Sequence, residues 1–312
     1  MKYFSMFSGI GGFESGIQRA CNMQSTKIEQ DRQGGNGNPD EVEHNVLPSS
    51  RTTPLCVGFS EVDKYAIQIY KKHFKEHKNY GDARRIVWED VPDFDMLCGG
   101  FPCQAFSIAG KRGGFEDTRG TLFYEIAKGV RIKRPKLLFL ENVKGLLSHD
   151  NGRTFGTILS TFSDLGYILE WQVLNSKNFG VPQNRERVFI IGHLGGERRP
   201  EVFPFSVPAG KYTQEVQRVL CPTLKARDYK DGGKWLGRIR RLTPVEAERL
   251  QGFPDDWTKK GMEEYTWYSI RSHKHRGNRE VDISDTQRYK CLGNAVTVNV
   301  IEAIARKIWE RN

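Results

Sequence analysis

Over the first two thirds of the chain, short apolar runs alternate with segments of helical period, and the alternation stops near Gly195. Lys2 to Ser8, Leu55 to Glu61, Asp95 to Cys98 and Lys136 to Leu140 are short and mostly apolar, which predicts buried strands. Tyr167 to Asn175 and Val188 to Leu194 predict two more, and Phe13–Ala20, Asp63–Phe74, Thr121–Lys133 and Gly152–Leu165 predict the helices between them. Alternation of this kind predicts an α/β fold with an open sheet. From Gly195 onward Pro, Gly and charged residues predominate, with short strands at best, until Arg240 to Leu250. There Thr243 is placed to cap a helix, with Pro244 in its first turn and Glu246 at the capping-box position. A last helix ends at Glu310, and its stripe of Val300, Ile301, Ile304 and Ile308 should pack back on the first lobe. Residues 22–54 show no periodicity and predict a disordered surface insertion.

Charge sharpens this division. The 312 residues carry a formal charge of +10, and from Gly195 to Lys290 there are 20 Lys and Arg against 14 Asp and Glu. The excess suits an anionic partner, whereas the 22–54 segment holds 3 basic and 5 acidic residues and does not. The six cysteines form no CxxC pair and no zinc-ligand spacing, so they read as reduced thiols of a cytoplasmic protein without a metal site. No apolar run is long enough for a membrane span, and the N-terminus lacks a signal-peptide pattern.

Candidate chemistry gathers where strands end, which is where open α/β sheets place ligands. Gly99 to Asp117 reads GGFPCQAFSIAGKRGGFED, with Cys103 between Pro102 and Gln104 and a glycine-punctuated basic segment after it. Most lone cysteines are small buried hydrophobes, a role that suits Cys98 inside the strand. Cys103, flanked by Pro and Gln, reads instead as a nucleophile. Glu141 ends an apolar strand, so its carboxyl should titrate high and donate a proton near neutral pH. The turn Gly9-Ile-Gly-Gly12 lets backbone amides approach a ligand. Glu61 at the second strand's end can accept from ribose hydroxyls or simply start a helix. Gly81-Asp82 can meet an adenine amino group or be a turn, and Arg185 and Arg187 straddle Glu186 as a surface ion pair would.

Together these residues resemble the bacterial DNA (cytosine-5-)-methyltransferases of restriction–modification systems. FSGIGGF (7–13) resembles their S-adenosylmethionine loop, GFPCQAFS (100–107) their catalytic cysteine motif, and ENV (141–143) their catalytic glutamate motif. QNRERV (183–188) is similar to their base-contacting arginine motif, and RRLTPVEAERLQGFPDDW (240–257) and LGNAV (292–296) to their closing motifs. The resemblance implies Cys103, Glu141, Arg185 and Arg187 as the catalytic set. It implies S-adenosyl-L-methionine as methyl donor, held by Phe7, Gly9, Ile10, Gly12, Glu61, Asp82, Pro102, Leu122, Asn294 and Val296. Gln104, Ser107, Thr223 and Leu224 would touch DNA. The implied architecture is a Rossmann-like S-adenosylmethionine-dependent lobe, 1–194 completed by 290–312, and a smaller irregular DNA-recognition lobe, 195–289. The partner is double-stranded DNA, with a cognate restriction endonuclease acting on the same site, and the enzyme is expected to be a monomer. Two departures stand out: the 22–54 insertion and the lengthened stretch 258–285. An RNA cytosine-5 methyltransferase and an inactive DNA-binding homologue are the alternatives.

Overall fold

The computed structural model describes residues 1–33, 54–101, 122–195, 201–205, 221–226, 242–268 and 274–310. The main sheet contains β1 (Lys2–Met6), β2 (Leu55–Ser60), β3 (Met96–Gly100), β4 (Leu137–Val143) and β5 (Tyr167–Asn175). The short β6 (Gln183–Asn184) follows, and then β7 (Glu186–Leu194), which rejoins the sheet to give the order β2-β1-β3-β4-β7-β5. The first four strands run parallel, and β7 is antiparallel to both β4 and β5. Because β1 lies between β2 and β3, the chain steps from β1 to β2 on one side and then crosses back over β1 to β3, so the winding reverses there. The crevice at its carboxyl end is therefore the switch point where such folds bind ligands.

Successive strand residues face opposite sides of the sheet, and both sides are covered. Phe4, Leu97, Leu138 and Ile190 pack with Phe123, Ile126 and Val130 of α3 (Leu122–Lys133) and with Phe155, Ile158 and Phe162 of α4 (Arg153–Asp164). On the other side Tyr3, Met96, Phe139 and Ile191 meet Phe13 and Ile17 of α1 (Gly12–Gln33). The expected terminal stripe, Val300, Ile301, Ile304 and Ile308 on the last helix (Val298–Glu310), is buried in that same cluster. Each such side chain contributes about 1.5–3 kcal/mol by leaving water.

Helix α2 (Lys64–His73) is capped by Asp63, whose carboxylate accepts from the amides of Tyr65 and Ala66. The short β8 (Cys221–Pro222) pairs with β6. Helix α5 (Pro244–Leu250) carries the expected capping box between Thr243 and Glu246. A third cluster joins Ile10, Ala66 and Ile69 to Leu224, Leu250, Phe253, Tyr289 and Leu292, so residues either side of position 195 share one core.

The sequence reading is corrected in several places. Helix α1 continues to Gln33, so the start of the stretch expected to be disordered is helical; residues 34–53 lie outside the described residues. Strand β4 ends in Glu141-Asn142-Val143, as expected. The stretch read as irregular between 258 and 285 contains a hairpin, β9 (Lys260–Tyr268) with β10 (Lys274–Asp282). It is followed by an unanticipated helix, α6 (Asp285–Asn294), before the terminal α7 (Val298–Glu310).

Candidate active site

The backbone turns sharply as β1 ends. Phe7 has φ +54° and Gly9 φ +56° before α1 starts at Gly12. A left-handed conformation at a residue with a bulky side chain is strained and marks a constrained site. The Gly9 amide donates to Glu61 Oε2 at 2.9 Å, while Glu61 Oε1 accepts from the Val62 and Asp63 amides at 2.8 Å each. Glu61 thus ties the end of β2 to the glycine turn after β1. Sequence reasoning missed Trp257 here, although it closes the GFPDDW run: its indole Nε1 donates to the Ile10 carbonyl at 3.1 Å.

On β4, Glu141 lies opposite Phe189 of β7, and Val143 lies opposite Arg187. Opposed residues share a face, so Glu141 and Arg187 are diagonal neighbours. Arg187 Nε meets Glu141 Oε1 at 3.0 Å. Glu186, the neighbour expected to pair, instead meets Lys144 at 2.9 Å. Glu141 is 8% exposed, and burial raises its pKa above the ordinary value, with the positive charges of Arg187 and Arg185 working the other way. A side chain at Gly100 would place Cβ 2.8 Å from Glu141 Oε2, so glycine is what leaves space for the carboxyl.

Arg185, 2% exposed, spends its guanidinium on carbonyls: Leu224 at 2.9 Å, Gly293 at 3.3 Å and Ala295 at 2.7 Å. Asn142, quoted in the sequence only as part of ENV, donates from Nδ2 to the Phe101 carbonyl at 2.8 Å and accepts the Val143 amide on Oδ1. Phe101 stands two residues before Cys103.

One cavity of about 490 Å³ connects these groups. Phe7, Gly9, Ile10, Glu61 and Leu122 line it with Glu141, Arg185, Arg187 and Asn294, all of them anticipated. Phe101, Asn142 and Lys290 line it as well. Lys290 is held at 2.7 Å by Asp63. Five anticipated residues that the structure describes are not among the lining: Gly12, Val296, Asp82, Thr223 and Leu224. Gly12 packs on Val296, whose Cγ2 would stand 2.7 Å from an added Cβ. Asp82 caps a short 3-10 turn, and its carboxylate is occupied by Arg84 at 2.7 Å, which holds its pKa down at about 2. Leu224 is buried and meets Arg185 through its carbonyl, and the Thr223 hydroxyl donates to the Asn184 carbonyl at 2.7 Å. Pro102, Cys103, Gln104 and Ser107 lie outside the described residues. Cys98 is fully buried, as expected of a structural thiol. Among the described residues no three His, Cys, Asp or Glu side chains gather as a metal site requires, and no helix is long and apolar enough to cross a membrane.

A sequence model of the C-5 cytosine-specific DNA methylases matches residues 46–231 and 217–310. The type II methyltransferase M1.ScrFI of Lactococcus lactis subsp. cremoris is 39% identical, over 80% of this chain and 71% of its own length. M.NlaX of Neisseria lactamica is 33% identical, over 98% and 96%, and M.HhaI of Haemophilus parahaemolyticus 30%, over 99% and 94%. Among solved structures, the S. pombe Dnmt2 methyltransferase superposes with a TM-score of 0.64 at 18% identity, covering 99% of this chain and 98% of its own. The Entamoeba histolytica methyltransferase EhMeth gives 0.62 at 17%, covering 99% and 98%.

Proposed function

Because the chain belongs to the C-5 cytosine-specific DNA methylases, and so methylates carbon 5 of cytosine in DNA as restriction–modification enzymes do, we propose that Cys103, Glu141 and Arg187 divide the chemistry among them. The observation that carries this reading is one cavity lined both by Phe7, Gly9, Ile10 and Glu61 and by the Glu141–Arg187 pair.

Carbon 5 of cytosine is a poor nucleophile until a thiolate adds at carbon 6. Cys103 supplies the thiolate. The addition places negative charge at ring nitrogen 3, where protonated Glu141 donates. The rise in its pKa, caused by burial, is what keeps a proton available. Arg187 holds the ring carbonyl oxygen, and Arg185 steadies the site through its three carbonyl partners. Loss of the carbon-5 proton to a base then lets Cys103 leave. A base stacked in a duplex cannot reach these groups, so the target cytosine is flipped out.

The lining at Phe7, Gly9, Ile10, Glu61 and Leu122 fits S-adenosyl-L-methionine: aromatic and aliphatic side chains stand with an acidic one, and no atom lies within 4 Å of where a Gly9 Cβ would be. When bound, this group supplies the methyl as an electrophile on a sulfonium. Asn294 stands in the same lining, Gly12 and Val296 support it by packing, and Pro102 and Asp82 complete the set in this reading. Residues 195–289 carry recognition of double-stranded DNA, with Thr223 and Leu224 at its start and Gln104 and Ser107 reaching the duplex from beside Cys103. A cognate restriction endonuclease, a cytoplasmic setting and a monomeric enzyme belong to the same proposal.

The test incubates the protein and a Cys103→Ser variant with duplex DNA and labelled S-adenosylmethionine, then maps methylated cytosines by sequencing. Methylation at one short motif, lost in the variant, is the expected result. Transfer that survives the substitution, or that goes to RNA alone, would overturn the assignment.

A further inference from the structure

The Phe7–Gly12 turn is held by a residue far along the chain. Trp257 lies far along the chain from Ile10, yet its indole Nε1 donates to the Ile10 carbonyl at 3.1 Å. Ile10 is the middle of the Phe7–Gly12 turn and itself lines the cavity. Turns of this kind bind ligands through the direction of their backbone groups, so whatever fixes one carbonyl fixes the adjoining amides.

Trp257 is in turn held by its neighbours. Its ring stacks on His73 with centroids 3.5 Å apart and planes 4° from parallel, and the Phe253 centroid lies 5.3 Å away. Its carbonyl meets His73 Nε2 at 2.8 Å. The next residue enters a buried polar cluster: the Thr258 amide donates to Glu248 Oε1 at 2.7 Å, and the Thr258 hydroxyl bonds to the same oxygen. Arg288 joins from α6, reaching Glu248 Oε1 at 3.1 Å and the Thr258 hydroxyl at 3.0 Å. A buried charge cluster adds little net stability, and in some proteins such a cluster fixes geometry. Here the cluster links α5, α6 and the 257–258 backbone into one rigid mount for the indole.

We propose that Trp257 is a positioning residue for the methyl-donor site: held by Glu248, Thr258 and Arg288, it sets the Phe7–Gly12 turn in its binding shape through the Ile10 carbonyl. This rests on the reading that the turn binds S-adenosylmethionine. Trp257 touches no reacting atom, so its contribution is to affinity for the donor and its demethylated product and not to the methyl-transfer step.

The experiment compares wild type, Trp257→Phe and Trp257→Ala. Calorimetric binding of S-adenosylhomocysteine is read beside melting temperature, cofactor-free DNA affinity and steady-state kinetics. Phenylalanine keeps an aromatic ring against His73 and Phe253 while removing the N–H donor and part of the indole's area. The expected result is a three- to tenfold rise in the dissociation constant of S-adenosylhomocysteine and in KM for S-adenosylmethionine. In the same variant kcat and DNA affinity stay within twofold, and alanine gives the larger effect on the same two constants. Unchanged binding in both variants would overturn the proposal, as would a loss of DNA affinity in step with the loss of donor affinity, since that marks general destabilisation. A wild-type protein that fails to bind S-adenosylhomocysteine would instead overturn the donor-site reading beneath it.

Discussion

Glu141 and Arg187 show how much one pair of side chains was legible. The apolar run before Glu141 announced a buried carboxyl, and burial does raise its pKa. The partner was not legible, because Glu186 stands next to Arg187 in sequence, while the diagonal across β4 and β7 exists only once the strands are in register. The sign of the pH dependence follows from the direction of the shift. A carboxyl that titrates above its ordinary 4.5 in the fold is neutral, and able to donate, up to that higher pH. Turnover therefore falls as pH rises through the raised value. The same shift makes the folded protein lose stability as pH rises between the ordinary and the raised value, because the unfolded carboxyl ionises first, and above that window the loss stays at its full size. Glu141→Gln should lower kcat by about 10²–10⁴-fold and abolish the alkaline fall of the rate profile. Its melting temperature relative to wild type should improve as pH climbs through the same window. A glutamine variant that keeps the wild-type alkaline limb would remove Glu141 as the proton donor. Asp82 taught the opposite lesson: its neighbour Arg84 was visible in the sequence and takes the carboxylate.

At the scale of elements, what the sequence made readable was whatever buries an apolar face. Strands β1 to β5 and helices α2 to α4 were readable on that ground, and so was α5, through its capping box. The β9–β10 hairpin was not, because solvent reaches both of its faces and acidic and basic side chains replace the usual alternation. It is joined to α2 by ion pairs such as Lys71 with Glu264 at 2.7 Å and Lys64 with Glu263 at 3.2 Å. Helix α6 was hidden for a related reason, since its buried residues include Arg288, whose partners Glu248 and Thr258 are remote in sequence. The ends of β3 and β4 carry a prediction of their own. Asn142 fixes the Phe101 carbonyl where β3 gives way to the Cys103 segment. Removing a buried donor leaves that carbonyl unpaired, at about 1–3 kcal/mol. Asn142→Ala should therefore slow formation of the covalent complex on fluorocytosine-containing DNA by at least tenfold while leaving S-adenosylhomocysteine binding unchanged. Equal adduct rates in variant and wild type would show that Phe101 is positioned without it.

For the whole molecule, the question is what joins the sheet to the segments that follow position 195. Arg185 answers much of it. Its motif was recognisable, and a steadying role was expected of it, yet its partners at Leu224, Gly293 and Ala295 come from two other stretches of chain and were beyond any local reading. Desolvation works against its charge, followed by repulsion from Arg187, while Glu141 supports it. A guanidinium retained under those conditions is held for its geometry, since five donors in a fixed plane can satisfy several carbonyls at once. Methionine would fill the same space and satisfy none of them. Arg185→Met should destabilise the fold by on the order of 3–5 kcal/mol. Because the clamp spans segments that share the core around Ile10, Leu224 and Leu292, the loss should appear as one cooperative transition at lower temperature. Two separate transitions would mean that the recognition segments fold apart from the sheet. A melting temperature within a degree of wild type would mean that the three carbonyls find other donors. Arg185→Lys discriminates further, for it keeps the charge beside Glu141 but offers donors from a single point. If the planar fork is what matters, lysine should fall close to methionine in stability, and if charge alone matters it should fall close to wild type.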